Sequence, residues 1–150
     1  MNRTQKDKLE RIIGRDFKEV YEIYSSGNFT EGSFYHCLND LIMECASVFL
    51  AQKGTKVVSQ PKKTEAGIPD FQVNKDGEIT GCIEAKLMDE DLQRAESSEQ
   101  IKRYRQAFPN LILTNFLEFR LYRDGNPIDT VELGGQSIIR ILKHPPVPVN

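Results

Sequence analysis

The sequence predicts an α/β fold, a sandwich in which helices flank a mixed central β-sheet. Two amphipathic segments open the chain, short segments with strand-like character follow, and one further helical segment separates the early strands from the late ones. The chain has 150 residues, of which 39% are hydrophobic and 28% are charged. This composition is typical of a folded chain with one core, so we expect a single domain over residues 1–150.

The first two helices are predicted from apolar residues that recur at steps of three and four. One such pattern covers residues 5–25 and ends at Gly27-Asn28, which places an N-terminal helix within residues 1–27. The next pattern covers residues 30–52, and Thr30 is a suitable N-cap for it. We expect both helices to flank the sheet.

The strands are predicted largely from two hairpin signals. Asp76-Gly77 and Asp124-Gly125 each stand between two strand-like segments. A helix over residues 98–108 lies between the two hairpins and ends at Pro109-Asn110. The remaining predictions are strands at residues 55–59, 68–73, 78–87, 111–115, 116–123 and 127–133, a linker at 88–95, a short apolar segment at 138–142, and a proline-rich tail or linker at 143–150.

Charge and cysteine content exclude several classes of protein. The 20 Lys and Arg against 22 Asp and Glu give a net charge of −2, which excludes a wholly basic nucleic-acid coat and permits a local basic patch. No apolar run approaches the ~20 residues of a membrane span, and the polar N-terminus has no secretory pattern. Three cysteines without metal-type spacing predict reduced thiols in a cytoplasmic protein.

Two carboxylates and one amine are predicted to converge on one face of the first hairpin. Glu84 and Lys86 are two residues apart on one strand and share a face, and Asp70 lies on the partner strand. Two carboxylates at close range repel each other unless a cation lies between them, and Mg²⁺ prefers hard oxygen ligands. Such an ion activates water and phosphate, and Lys86 would orient the water or stabilise charge on the phosphate.

These residues resemble the signature of the PD-(D/E)xK nucleases, through Pro69-Asp70 and then Glu84-Ala85-Lys86. Gln100 and Tyr104 resemble the Gln-x-x-x-Tyr element that follows this signature in several branches. Thr30-Glu31 and the segments 99–104 and 109–120 extend the likeness. Over roughly residues 30–125 the chain resembles the N-terminal nuclease domain of single-chain restriction–modification enzymes, in which a DNA methyltransferase follows the nuclease, sometimes after a translocase.

The resemblance implies a restriction-endonuclease-like three-layer sandwich, with a nuclease core over residues 28–133. It implies a Mg²⁺-dependent DNA endonuclease, with Mn²⁺ as a substitute ion, that leaves 5′-phosphate and 3′-hydroxyl ends. Asp70 and Glu84 would hold the metal, Lys86 would act on the water or the phosphate, and Gln100 and Tyr104 would position the strand. The expected setting is the cytoplasm of a prokaryote, with further domains in a longer chain and transient dimerisation on DNA.

Glu31 is a third candidate metal ligand. It lies at the start of the second helix, on the apolar side that is predicted to face the core, where an unpaired charge is costly to bury. In the resembled family a helix glutamate completes the metal site, and Glu31 is the matching position. Glu44 competes for this role, but it lies off this apolar side.

Each motif also has a structural explanation. Gln100 and Tyr104 fit the half-buried face of a helix, and Lys102 and Arg103 fit either a DNA contact or a solvated helix surface. Two basic residues before the Asp-bearing strand either contact a DNA backbone or only solubilise a loop, and we favour the second explanation for Lys62 and Lys63.

Two other functions stay open at this point. The fold could serve as an inactive DNA-binding or assembly module, or the chain could be a stand-alone repair-type nuclease. His36 and His144 stand apart from other ligand types and lack metal-ligand spacing, so no role is predicted for either. For Cys37, core packing is the expected role.

Overall fold

A computed structural model of the chain describes residues 1–49 and 55–133, and its elements follow the predicted order. The predictions for residues 50–52, 138–142 and 143–150, and for His144, lie outside the described residues. Among those that are described, no helix combines the length and the apolarity needed to cross a bilayer.

The first helical layer is formed by α1, Arg3–Ser25, and α2, Tyr35–Phe49. The chain enters α2 through a single 3₁₀ turn, Glu31–Phe34, for which Thr30 is the N-cap as predicted. At the start of α1, the Asn2 side chain accepts a hydrogen bond from the Gln5 amide at 2.8 Å. Such caps satisfy amides that have no partner inside the helix.

The second helical layer is formed by α3, Leu92–Glu96, and α4, Glu99–Ala107. The prediction of a linker over residues 88–95 was therefore wrong. A helix of five residues is too short to show an apolar repeat, and it depends on its cap and on burial of its first residue. Asp91 caps α3 by accepting from the Gln93 amide at 2.9 Å, and Leu92 is buried.

The described residues contribute six strands to one mixed sheet, in the order of the sequence. The third and fourth strands run parallel, and the other neighbours run antiparallel. Both predicted Asp-Gly turns are present, and the strand predicted over residues 68–73 instead covers Phe71–Lys75. The strands are β1 Thr55–Ser59, β2 Phe71–Lys75, β3 Glu78–Ala85, β4 Asn110–Thr114, β5 Glu118–Arg123 and β6 Asn126–Glu132.

Alternation along β3 divides the core between the two faces of the sheet. Ile83 and Ala85 belong to the apolar cluster that includes residues of α1 and α2, whereas Cys82 belongs to the cluster that includes residues of α3 and α4. Alternate residues of a strand point to opposite faces, so Glu84 shares the face of Cys82. The predicted layering of helices, mixed sheet and helices is confirmed.

The β3–β4 contact generates the first testable prediction. A Cβ atom added to Gly81 would lie 2.7 Å from the backbone carbonyl oxygen of Asn110, so the two strands must move apart. We expect Gly81→Ala to lower the free energy of unfolding by about 1–3 kcal/mol, measured by urea denaturation. Gly14→Ala is the control, because Gly14 lies inside α1 in open space and alanine should stabilise the helix by up to about 1 kcal/mol. Equal effects of the two changes would contradict this account.

Candidate active site

The carboxylates of Asp70 and Glu84 meet where β2 begins and β3 ends. Phe71 pairs with Ile83, so the residues just outside this pair face each other. The Asp70 amide donates to Glu84 Oε2 at 3.3 Å, and the Ala85 amide donates to Asp70 Oδ2 at 2.8 Å. The structure thus brings the two side chains together as the hairpin pairing predicts.

Lys86 extends this pair toward helix α4. Its amide donates to the Thr114 carbonyl at 2.8 Å, which continues the parallel pairing of β3 with β4 beyond Ala85. Its Nζ donates to Glu84 Oε1 at 3.3 Å and to Gln100 Oε1 at 3.4 Å. Since the Lys86 side chain is only 18% exposed, its ammonium group is held between these two oxygens.

Gln100 and Tyr104 lie on one face of α4 and contact each other at one turn's spacing. Gln100 Nε2 donates to Tyr104 Oη at 3.4 Å. Tyr104 is 1% exposed, so it reaches the site through Gln100. Gly67 packs against the ring of Tyr104 with φ at +129°, a backbone conformation and a close approach that favour glycine. The loop before β2 is thereby fixed beside the site.

Glu31 joins the site through Tyr35, a residue that sequence reasoning missed. Tyr35 Oη donates to Asp70 Oδ1 at 2.6 Å and lies 3.1 Å from Glu31 Oε1. A hydroxyl has one proton, so it satisfies one carboxylate at a time. The signal in the sequence was the spacing of four between Glu31 and Tyr35. Glu44, the competing candidate, instead pairs with Arg15 on α1.

Burial and a neighbouring carboxylate disfavour ionisation of Glu84 and Glu31. Burial, with the nearby Asp70 carboxylate, raises the pKa of Glu84 to about 7 against the opposing effect of Lys86. Burial also raises the pKa of Glu31, although the Tyr35 hydrogen bond opposes that shift. Carboxylate oxygens are the ligands that Mg²⁺ and Mn²⁺ prefer, so the chemistry of the Asp70, Glu84 and Glu31 side chains suits a hard divalent cation.

The four basic residues suggested as DNA contacts are exposed but differ in what holds them. Lys62 and Lys63 lie in the loop before β2 and form no ion pair within the described residues. Lys102 pairs with Glu99 at 3.3 Å, and Arg103 Nε donates to a backbone carbonyl of the same loop at 3.4 Å. Of these four residues, Lys62 and Lys63 are therefore the two whose charged groups have no hydrogen-bond or ion-pair partner among the described residues.

A cleft of about 580 Å³ opens beside the site. Lys86 and Gln100 form one side of the cleft, and three consecutive acidic residues line it as well. The remaining lining residues are Asp89, Glu90, Asp91, Arg94, Ala95 and Ser98. Its lining is rich in carboxylates, so a polyanion entering it needs a counter-cation.

Comparison with known proteins shows the fold of this chain. No family model and no curated protein matches it. Among solved structures, a cryo-electron microscopy structure of a DrdV–DNA complex matches over 92% of this chain, with a TM-score of 0.67 and 18% sequence identity. The chain spans about 14% of the length of that protein chain. The α/β restriction-endonuclease-like sandwich is thus confirmed.

The shared hydroxyl of Tyr35 can be tested directly. Tyr35→Phe removes the hydroxyl that Asp70 and Glu31 share, so we expect the metal-free protein to lose about 1–3 kcal/mol in its free energy of unfolding. Tyr21→Phe is the matched control, because Tyr21 packs against the same apolar cluster and its hydroxyl has no hydrogen bond within the described residues. Equal losses in the two variants, measured by chemical denaturation, would contradict the bridging role.

The raised pKa of Glu84 predicts a pH dependence of stability. The folded state keeps this proton up to about pH 7, whereas an unfolded glutamate releases it near its ordinary pKa of 4.5. The free energy of unfolding in chelator should therefore fall as pH rises through this window, because the unfolded state binds fewer protons there.

Glu84→Gln should reduce the decrease in the free energy of unfolding with rising pH, since glutamine has no proton to release. The contribution of Asp16, whose pKa burial also raises to about 7, remains in the variant. Glu78→Gln, at the exposed start of β3, is the control and should leave the slope unchanged. Identical pH profiles for the parent and Glu84→Gln would contradict the buried-carboxyl account.

Proposed function

We propose that this chain is a metal-dependent DNA endonuclease domain that hydrolyses phosphodiester bonds. The observation that carries the proposal is the convergence of the Asp70 and Glu84 carboxyl groups with the Lys86 ammonium at the edge of an open cleft. Two acids at hydrogen-bond range can hold a cation, and the lysine beside them can act on a water or on charge that develops on a phosphate, which are the roles that metal-assisted hydrolysis requires. The fold shared with a protein solved in complex with DNA adds support for DNA as the substrate.

Asp70, Glu84 and Glu31 are the residues that would hold Mg²⁺ or Mn²⁺. When bound, the ion polarises the scissile phosphate and lowers the pKa of a coordinated water. The Ala85 amide holds Asp70 Oδ2, which fixes this carboxylate beside Glu84. Glu84 would lose its proton to bind the ion, because a cation would offset the effects of burial and of the nearby Asp70 carboxylate.

Lys86 is the residue we assign to the attacking water or to the charge that develops on the phosphate. Gln100 holds the Lys86 ammonium toward the cleft, and Tyr104 in turn orders Gln100. Because Tyr104 is buried, its proposed part in placing the DNA strand is indirect. Lys62 and Lys63 are the proposed backbone contacts, since the structure leaves them exposed beside the Asp70 strand.

The proposed setting is the cleavage module of a restriction–modification enzyme. The protein of the DrdV–DNA complex is several times longer than the part that this chain matches. In our proposal a methyltransferase, in some arrangements with a translocase, supplies target recognition. A weakly acidic chain with a net charge of −2 fits a nuclease that other domains bring to DNA.

The experiment is cleavage of supercoiled plasmid in Mg²⁺, Mn²⁺ or chelator. We expect metal-dependent cleavage that Asp70→Asn and Lys86→Met each reduce by ~10²-fold or more, because each change removes a group that acts on the reacting phosphate. Lys75→Met, which removes an exposed lysine at the end of β2, is the matched control and should retain activity. Unchanged cleavage by Asp70→Asn would contradict the assignment.

A thermal shift separates an inactive module from an enzyme that lacks its target. Mn²⁺ bound to the native site must raise the melting temperature, and Asp70→Asn must abolish that rise. DNA binding with no metal-dependent stabilisation would instead favour the module that binds DNA without cutting it.

A further inference from the structure

A second cluster of metal-ligating side chains lies between α1 and the start of α2, outside the candidate active site. Glu19 of α1 meets His36 and Cys37 of α2. Cys37 Sγ lies 3.4 Å from His36 Nε2 and 3.7 Å from Glu19 Oε2, and the last two atoms lie 4.0 Å apart. The prediction that His36 is isolated was wrong, because Glu19, which comes from another helix, lies near it together with Cys37.

This triangle has nearly the size of a tetrahedral zinc site. Bonds of about 2.3 Å to sulfur and about 2.0–2.1 Å to nitrogen or oxygen place the sulfur about 3.5 Å from each of the other two ligand atoms. The same geometry places nitrogen and oxygen about 3.3–3.4 Å apart, so one side must shorten by about 0.6 Å. This side is the distance between His36 Nε2 and Glu19 Oε2. The two side chains are 62% and 40% exposed, so solvent leaves room for them to approach each other.

Hydrogen bonds within the protein do not satisfy every polar group in and beside this cluster. The Cys37 thiol has one proton and two acceptors within reach. Asp16, one turn before Glu19, is 6% exposed, and its carboxyl group has no hydrogen bond within residues 1–49 and 55–133. Burial, followed by the charges of Asp16 and Glu19, raises the pKa of Cys37 to about 12. The thiol is therefore neutral at neutral pH, and a cation that binds the sulfur must displace its proton.

We propose that Glu19, His36 and Cys37 bind a divalent ion that prefers nitrogen and thiolate ligands, with Zn²⁺ as the best fit. A water molecule or Asp16 completes the tetrahedron, and the Cys37 proton passes to solvent on binding. The carboxylate site at Asp70 favours harder ions, so the two sites select different metals. A bound ion links α1 to the first turn of α2, next to Tyr35 of the candidate active site.

The test is a Co²⁺ titration of the metal-stripped chain with Mg²⁺ in excess to occupy the carboxylate site. We expect one equivalent of Co²⁺ to give tetrahedral d–d bands and a thiolate-to-cobalt absorption in the near ultraviolet, both removed by Zn²⁺. Cys37→Ser should abolish the thiolate absorption. His36→Gln and Glu19→Gln should each weaken Co²⁺ binding by at least ~10-fold, since even indirect ligand partners have effects of this size.

Two variants serve as controls. Cys82→Ser removes the buried thiol on the Glu84 face, and Glu22→Gln removes an exposed acid three residues beyond Glu19. Both should leave the cobalt spectrum unchanged. No thiolate absorption, or one that survives Cys37→Ser and disappears in Cys82→Ser, overturns the proposal. Because Cys37 is buried, circular dichroism must show that Cys37→Ser is folded. If that variant does not fold, normal Co²⁺ binding by both His36→Gln and Glu19→Gln overturns the proposal. The result is independent of DNA cleavage.

Discussion

The reciprocal hydrogen bonds between Asp70 and the end of β3 are the interaction on which the rest of the site depends. The Asp70 amide donates to the Glu84 carboxylate and the Ala85 amide donates to the Asp70 carboxylate, so a backbone amide of the neighbouring segment holds each acid in place. From this point the parallel pairing with β4 carries the chain to Lys86, whose side chain meets α4. Backbone pairing thus places two carboxyl groups, which would otherwise repel each other, beside one ammonium group.

Electrostatics explains why such a site is suited to metal. Burial and the nearby Asp70 carboxylate raise the pKa values of Glu84 and Glu31, and Lys86 and the Tyr35 hydroxyl oppose only part of these shifts. A net charge of −2 first argues against a nucleic-acid enzyme, but part of that charge belongs to Asp70, Glu84 and Glu31. In our proposal a divalent ion offsets this charge where the phosphate is to lie.

Local patterns predicted the parts of this molecule that depend on neighbours in the sequence. The Asp-Gly turns set the hairpins, and strand alternation placed Glu84 and Lys86 on the same face as Asp70, which lies across the hairpin from them. Periodicity could not reveal α3, which has five residues, or the partners of Glu31 and His36, which come from elements that meet only in the folded chain. Tyr35 and Glu19 looked like ordinary helix residues because their chemistry depends on tertiary packing.

The central claim is that Asp70, Glu84 and Glu31 form one divalent-metal site, and anomalous diffraction from crystals grown with saturating Mn²⁺ tests it most directly. We expect an anomalous peak bonded to oxygens of both Asp70 and Glu84, on the side from which Glu31 and Tyr35 approach. A well-ordered structure with no manganese between these two carboxylates, or with manganese bound only elsewhere, would contradict the account.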